Sequence, residues 1–210
     1  DPDAMEGWAA ASLPEGVVDG APWLILFRGV SLAPFAPLEA SAAFERSLER
    51  FGNTDRVGRV LSLAAILATH YLEFDTGAVD QWLDQLLPEL EHPPGFPAAA
   101  AETRVYAALL FGINLQRPEK ALAERCVSHL HALLSSQAVP VNPRIDAATL
   151  LLVHQQITVD FDEAERVIQM AAPWLHDPEL TANYRALWLL QLAHFRNKQG
   201  RDAEALRMYT

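Results

Sequence analysis

The sequence predicts an all-α protein built from antiparallel helix pairs, and three observations support this. Helix-length apolar segments alternate with short polar or proline-containing turns along the 210 residues. Within the segments, apolar residues recur at intervals of three or four, which places them on one face of a helix. Prolines and glycines separate the segments, and no stretch alternates between apolar and polar residues as a half-buried strand would.

Each predicted pair consists of a first helix, a turn and a second helix. The first helices are predicted over 23–30, 60–71, 104–112, 145–158 and 179–198. The turns are predicted over 33–37, 73–77, 116–118, 160–162 and 198–202. The second helices are predicted over 38–48, 82–90, 119–134, 163–174 and from 203 onwards. Proline-containing segments that break helices, at 92–97, 140–143 and 177–178, separate successive pairs.

The fifth pair shows how the spacing indicates a helix. Its apolar residues recur every three or four positions, at Leu180, Tyr184, Leu187, Trp188, Leu192 and Phe195. Gly200 follows where a left-handed residue would end the helix, and Asp202 is placed to cap the next helix.

A small or β-branched residue marks the start of each second helix and sets the period of the repeat. These markers are Ala40, Val79, Ala121, Ala164 and Ala205, at intervals of 39, 42, 43 and 41 residues. A tetratricopeptide repeat (TPR) has a period of about 34 residues. Because one pair cannot bury its own apolar faces, neighbouring pairs must cover one another. We therefore expect a single domain over 1–210, a TPR-like α-α superhelix (solenoid) of about five pairs, with 1–19 as an N-terminal cap or arm.

Composition limits the classes of partner. The formal charge of −11 argues against nucleic acid as a direct partner. The longest uncharged apolar runs, 60–72 and 147–159, are shorter than the roughly 18 residues that a membrane span needs. The lone Cys126 excludes an internal disulfide and fits the cytoplasm. The chain begins at Asp1 without a Met and ends within a predicted helix, so we expect a fragment of a longer protein.

Three stretches carry a resemblance to a known family: residues 21–30, residues 36–51, and residues 70–75 with Leu83 beyond them. They resemble the helical-repeat sensor region of bacterial transcriptional regulators of the maltose-activator (MalT-like) and bacterial transcriptional activation domain kinds. The resemblance implies repeats that bind an inducer or a regulatory protein. MalT-like members usually place a signal-transduction ATPase before the repeats and a helix-turn-helix after them. This chain contains neither a phosphate-binding glycine loop nor a basic recognition helix.

Side chains with catalytic or metal-binding chemistry have simpler structural explanations. Cys126 and His129 share a helix face, with His131 nearby, but zinc needs further ligands, so we expect no metal and no cofactor. Cys126 is better explained as a packed core thiol than as a nucleophile. The acids at two turns, Glu73, Asp75, Asp160, Asp162 and Glu163, suit helix capping better than a paired-acid glycosidase site. We therefore expect no catalytic residue.

The concave side of the stack is the predicted binding groove, because first helices line that side of TPR-like proteins. His70, His154 and His194 lie on first helices, and Gln156 is a further polar residue there. The candidate residues of this groove are Arg104, Tyr106, Asn114, His154, Gln155, Tyr184, Arg185 and His194. We expect a non-catalytic segment of a bacterial signalling or transcriptional regulator that binds a protein, a peptide or a small-molecule effector. The alternative is a constitutive TPR-like scaffold or a self-associating adaptor, for example a homodimer; an all-α hydrolase is the least favoured.

Overall fold

The computed structural model describes residues 20–73, 77–116 and 120–208, and these residues form helices and turns with no strand. The helices are α1 Pro22–Leu32, α2 Pro37–Phe51, α3 Arg56–Glu73, α4 Val79–Glu91, α5 Ala99–Gln116, α6 Lys120–Leu134, α7 Val141–Thr158, α8 Phe161–Ala171, α9 Ala182–Lys198 and α10 Asp202–Met208. A 3₁₀ turn, Ala172–His176, follows α8 directly. The all-α prediction is therefore confirmed.

The predicted helices are present, with differences at their ends. Helix α8 begins at Phe161 rather than at Glu163, and its last predicted turn is a 3₁₀ turn that contains Pro173. Proline lacks the amide hydrogen that a continuing α-helix needs. Asp202 is the first residue of α10 rather than its cap, and Gly200 has the predicted left-handed φ of 73°. The predicted turn at 116–118 and the acid at Asp75 lie largely outside the described residues.

The chain divides into two compact units, Asp1–Pro97 and Ala98–Thr210. The boundary falls in the proline-rich breaker that the sequence places between the second and third pairs. In the first unit α2 packs against both α1 and α3, and α4 packs against α3. Two close contacts join these helices: a Cβ added at Gly29 would overlap the Phe44 ring, and one at Gly58 would overlap the Phe51 ring. The single 210-residue domain stays a prediction.

In the second unit the first helices of three pairs lie side by side. Helix α7 packs against α5 on one side and against α9 on the other, while α6, α8 and α10 pack against the first helices of their own pairs. The start of α5 faces the end of α6, because Glu102 Oε1 lies 2.9 Å from His129 Nε2. The pairs in this unit are stacked; the TPR-like superhelix stays a prediction.

Four of the five marker residues are buried. Ala40, Val79, Ala164 and Ala205 are buried against their partner helices, whereas Ala121 is exposed. The buried alanine of α6 is Ala123, which begins a stripe that continues through Cys126, Leu130 and Leu134. In the third pair the buried small residue therefore lies two positions after the marker, because Ala121 does not belong to the buried face.

The structure also bears on membrane insertion. Among the described residues, no helix combines the length and the apolar character that crossing a membrane requires.

Candidate functional site

Three of the predicted groove residues lie in the contact between α5 and α7. His154 Nδ1 lies 2.7 Å from Asn114 Oδ1, and burial lowers the pKa of His154. Nearer the helix starts, the charge of Arg104 acts on the carboxyl of Asp146. These two contacts show that α5 and α7 run in the same direction. The hydrogen bond places Asn114 and His154 between packed helices, while Arg104 is half-buried near the start of α5.

The other candidates on α5 and α7 are also engaged with neighbouring helices or turns. Gln155 is buried, and its side-chain oxygen accepts a hydrogen bond from the Thr158 hydroxyl at 3.3 Å. Gln156 reaches α9, where its amide donates to the Gln191 carbonyl at 3.4 Å. The Tyr106 ring packs on His129 of α6 with 3.9 Å between ring centroids. Burial raises the pKa of Tyr106, and the nearby Glu102 and Cys126 add to that rise.

The candidates on α9 do not share one face. Arg185 and His194 are exposed, and Tyr184 is half-buried. Arg185 and His194 are nine residues apart, which is two and a half turns of helix, so their side chains leave α9 on opposite sides. One ligand in one groove cannot contact both. The predicted eight-residue set is therefore not gathered into one site, and its role in binding stays a prediction.

The histidines of α6 face different neighbours. His129 pairs with Glu102 of α5, whereas His131 Nε2 lies 3.3 Å from Glu163 Oε1 of α8. Within the described part of the chain, no three His, Cys, Asp or Glu side chains gather where a metal ion could bind. Cys126 is 2% exposed and donates to the Tyr106 carbonyl, with 3.2 Å from Sγ to oxygen. Burial raises its thiol pKa to about 12, so the predicted core thiol is confirmed.

The turn between α7 and α8 has both a structural and an exposed part. Asp160 caps α8 as predicted, because its Oδ1 accepts from the Glu163 amide at 3.0 Å. Around it, three large apolar side chains are exposed: Ile157 by 48%, Val159 by 65% and Phe161 by 36%. We call these three residues the 157–161 patch. The Phe161 ring is anchored by an edge contact with Phe195 of α9, at 5.8 Å between centroids.

Val159 is held in a backbone conformation that its side chain disfavours. It ends α7 with φ 60° and ψ 31°, the left-handed region, and the Asp160 amide closes the turn on the Gln155 carbonyl at 3.0 Å. In the described residues the other positive φ values belong to glycines, Gly52 and Gly200. A left-handed conformation costs a residue with a Cβ roughly 1–2 kcal/mol. An exposed valine is thus present where glycine would fit without strain.

Residues 158–162 line an open depression beside the apolar side chains. The lining includes two exposed carboxylates, Asp160 and Asp162, in addition to Val159 and Phe161. Strained residues persist where the surrounding structure holds them, and they concentrate at functional sites. Exposed apolar surface with a polar rim is typical of an interaction site. The 157–161 patch is therefore the candidate functional site.

Sequence reasoning assigned this turn to helix capping alone and missed the patch. The signal present in the sequence was Val159 at the end of an apolar run, where a helix usually ends on glycine or asparagine.

Comparisons with protein-family models, with curated proteins and with solved structures found no match for this chain.

Proposed function

We propose that this chain is a protein-binding helical-repeat segment and that the 157–161 patch is its contact surface. The observation that carries the proposal is the exposed, strained Val159 between the exposed Ile157 and Phe161. Burying these side chains against a partner removes apolar surface from water, at about 25 cal/mol for each Å². The Phe161 side chain has little rotamer freedom to lose on binding, because its ring already contacts Phe195.

The wider setting that we propose is a bacterial signalling or transcriptional regulator with TPR-like repeats. Two features support it: the resemblance over residues 21–90 to the MalT-like and bacterial transcriptional activation domain kinds, and the side-by-side first helices of the second unit. In such a regulator, partner binding would act by favouring one of two arrangements of neighbouring domains. The partner could shift the equilibrium between these two arrangements only by the difference in its affinity for them.

Site-specific photo-crosslinking in the source cells tests the protein-binding proposal. A photo-reactive amino acid at position 159 is expected to capture a defined protein, because the side chain there faces outward. The same amino acid at Ala203, which is exposed on α10, is the control. Capture at 159 should fall when Phe161→Ser is added to the chain. Equal capture at 159 and 203 would contradict the proposal.

Self-association is the second candidate, and a separate surface favours it. Phe35 is 83% exposed and Leu38 is 75% exposed at the turn between α1 and α2 in the first unit. If two copies bury this surface, the mass in solution should rise with concentration, and Leu38→Glu should abolish the rise. Sedimentation equilibrium from micromolar to submillimolar protein measures this. A single monomer mass over the whole concentration range would exclude the self-associating adaptor.

A further inference from the structure

The charges around the 157–161 patch are unequal. Residues 157–165 contain four carboxylates, Asp160, Asp162, Glu163 and Glu165, and no Lys or Arg. Two of the four are neutralised nearby. Glu163 pairs with Arg166 and lies against His131, while Glu165 is held by Arg196 and lies 3.7 Å from Arg201 Nη1.

The remaining two carboxylates face solvent. Asp160 and Asp162 are exposed and take part in no ion pair among the described residues. The contact that Asp160 Oδ1 makes is with an uncharged backbone amide, which brings no positive charge to the carboxylate. Both acids line the same depression as Val159 and Phe161. The surface therefore presents two uncompensated negative charges beside exposed apolar side chains.

We propose that the occupant of the 157–161 patch is a basic peptide segment of a partner protein, with an apolar side chain next to its Lys or Arg residues. This inference rests on the proposed function and names the chemistry of the partner. The apolar side chain packs on Val159 and Phe161, and the basic groups lie within reach of Asp160 and Asp162. The chain's overall charge of −11 adds long-range attraction for such a segment, which speeds encounter and weakens with salt.

Binding of defined probe peptides tests the inference. The first probe is an amphipathic Leu/Lys peptide, and the second has Glu in place of every Lys. The third has Ser in place of every Leu. Fluorescence anisotropy gives the Kd of each probe for the wild-type chain and for two patch variants, Val159→Gly and Asp162→Asn. Neither substitution removes a buried contact, and Val159→Gly leaves the charge unchanged.

Two variants in the first unit serve as matched controls. Leu38→Ala removes an exposed apolar side chain, and Glu39→Gln removes an exposed carboxylate. Binding driven by overall charge alone would respond equally to Asp162→Asn and Glu39→Gln. Binding at Phe35 and Leu38 would respond to Leu38→Ala and not to Val159→Gly.

The expected result is that the Leu/Lys probe binds, that Val159→Gly raises its Kd at least tenfold, and that Asp162→Asn raises it severalfold. Both controls should leave the Kd within twofold of wild type, and the Glu and Ser probes should bind weakly. If Val159→Gly weakens binding but the Lys and Glu probes bind alike, the basic partner is excluded while the protein-binding surface stands. If the patch variants bind like the controls, or if the Leu/Lys probe does not bind, the inference is overturned.

Discussion

At the scale of single residues, three helices in the described part of the chain are followed by a residue with positive φ, and two kinds of residue take this position. Gly52 and Gly200 adopt positive φ without a Cβ, whereas Val159 adopts it with a branched side chain in solvent. Gly200 was predictable, because glycine after an amphipathic run is a common helix end. Asp160 and Cys126 were predictable for similar local reasons. The exposure of Val159 was not, since an apolar residue after an apolar run predicts burial.

Adding glycine at position 159 and removing it at position 200 should change the free energy of unfolding in opposite directions. Val159→Gly relieves left-handed strain of roughly 1–2 kcal/mol, less about 0.5–1 kcal/mol for glycine's greater freedom in the unfolded chain. We expect a net gain of up to about 1.5 kcal/mol. Gly200→Ala should lower stability by about 1 kcal/mol through the backbone alone, because no atom lies within 4 Å of the added Cβ. Urea unfolding measures both; a less stable Val159→Gly would disprove the strain.

Asp146 should give the chain a distinctive pH dependence. Burial raises the pKa of its carboxyl from 3.8 to about 6, although Arg104 opposes the rise. The folded state therefore binds more protons than the unfolded state between pH 3.8 and about 6. The stability of wild type relative to Asp146→Asn should be greatest below this window and should fall as the pH rises through it.

His154 provides a comparison with the opposite sign. Its pKa is lowered from 6.5 by burial, so the unfolded state takes up a proton first as the pH falls. The stability of wild type relative to His154→Gln should therefore fall as the pH drops below 6.5. Urea unfolding at several pH values measures both differences. A pH-independent difference for Asp146→Asn would show that its carboxyl is not buried as described.

At the scale of helices, the spacing of apolar residues predicted the elements, and specific contacts set their ends. The cap Asp160 and the helix end Gly200 were placed correctly because their roles are local. The spacing alone did not show which alanine of α6 is buried, because Ala121 and Ala123 are both small and lie two residues apart. Only the stripe that continues from Ala123 through Leu130 distinguishes them. The polar residues His154, Gln155 and Gln156 of α7 point in different directions because they are consecutive, and each leaves the helix about 100° from the last.

The contact between α1 and α2 predicts an unusual response to alanine. Glycine to alanine inside a helix usually raises stability by about 1 kcal/mol. At Gly29 the added Cβ would overlap the Phe44 ring, so Gly29→Ala should instead lower stability by about 1–3 kcal/mol. Phe44→Leu should reduce this penalty in a double-mutant cycle. Thermal unfolding of the four proteins tests it, and a stabilised Gly29→Ala would show that the helices are farther apart.

A pair of tryptophan substitutions tests the buried face of the second helices. Ala164 is fully buried between α8 and α7, so Ala164→Trp should destabilise by a few kcal/mol through overpacking. Ala121→Trp adds the same side chain at an exposed position of α6 and should change stability by no more than about 0.5 kcal/mol. Chemical denaturation compares the two. A similar loss of stability in the two variants would contradict the exposed position of Ala121.

At the scale of the whole molecule, the sequence predicted helix pairs because its apolar period is regular. The stacking in the second unit follows from contacts that a single sequence does not show, such as His154 with Asn114 and Gln156 with the Gln191 carbonyl. The candidate surface at residues 157–161 was missed for a related reason. A binding surface is recognised by what stays exposed after packing, and exposure depends on every neighbouring helix.

The most direct test of the central claim is the affinity of the protein captured at position 159 for wild type and for Val159→Gly. The account predicts that Val159→Gly binds at least tenfold more weakly, a loss of about 1.4 kcal/mol or more, while unfolding at the same or a higher temperature. Weaker binding by a fold at least as stable would place the contact on the 157–161 patch. Equal affinity would contradict the claim that this turn is the protein-binding surface.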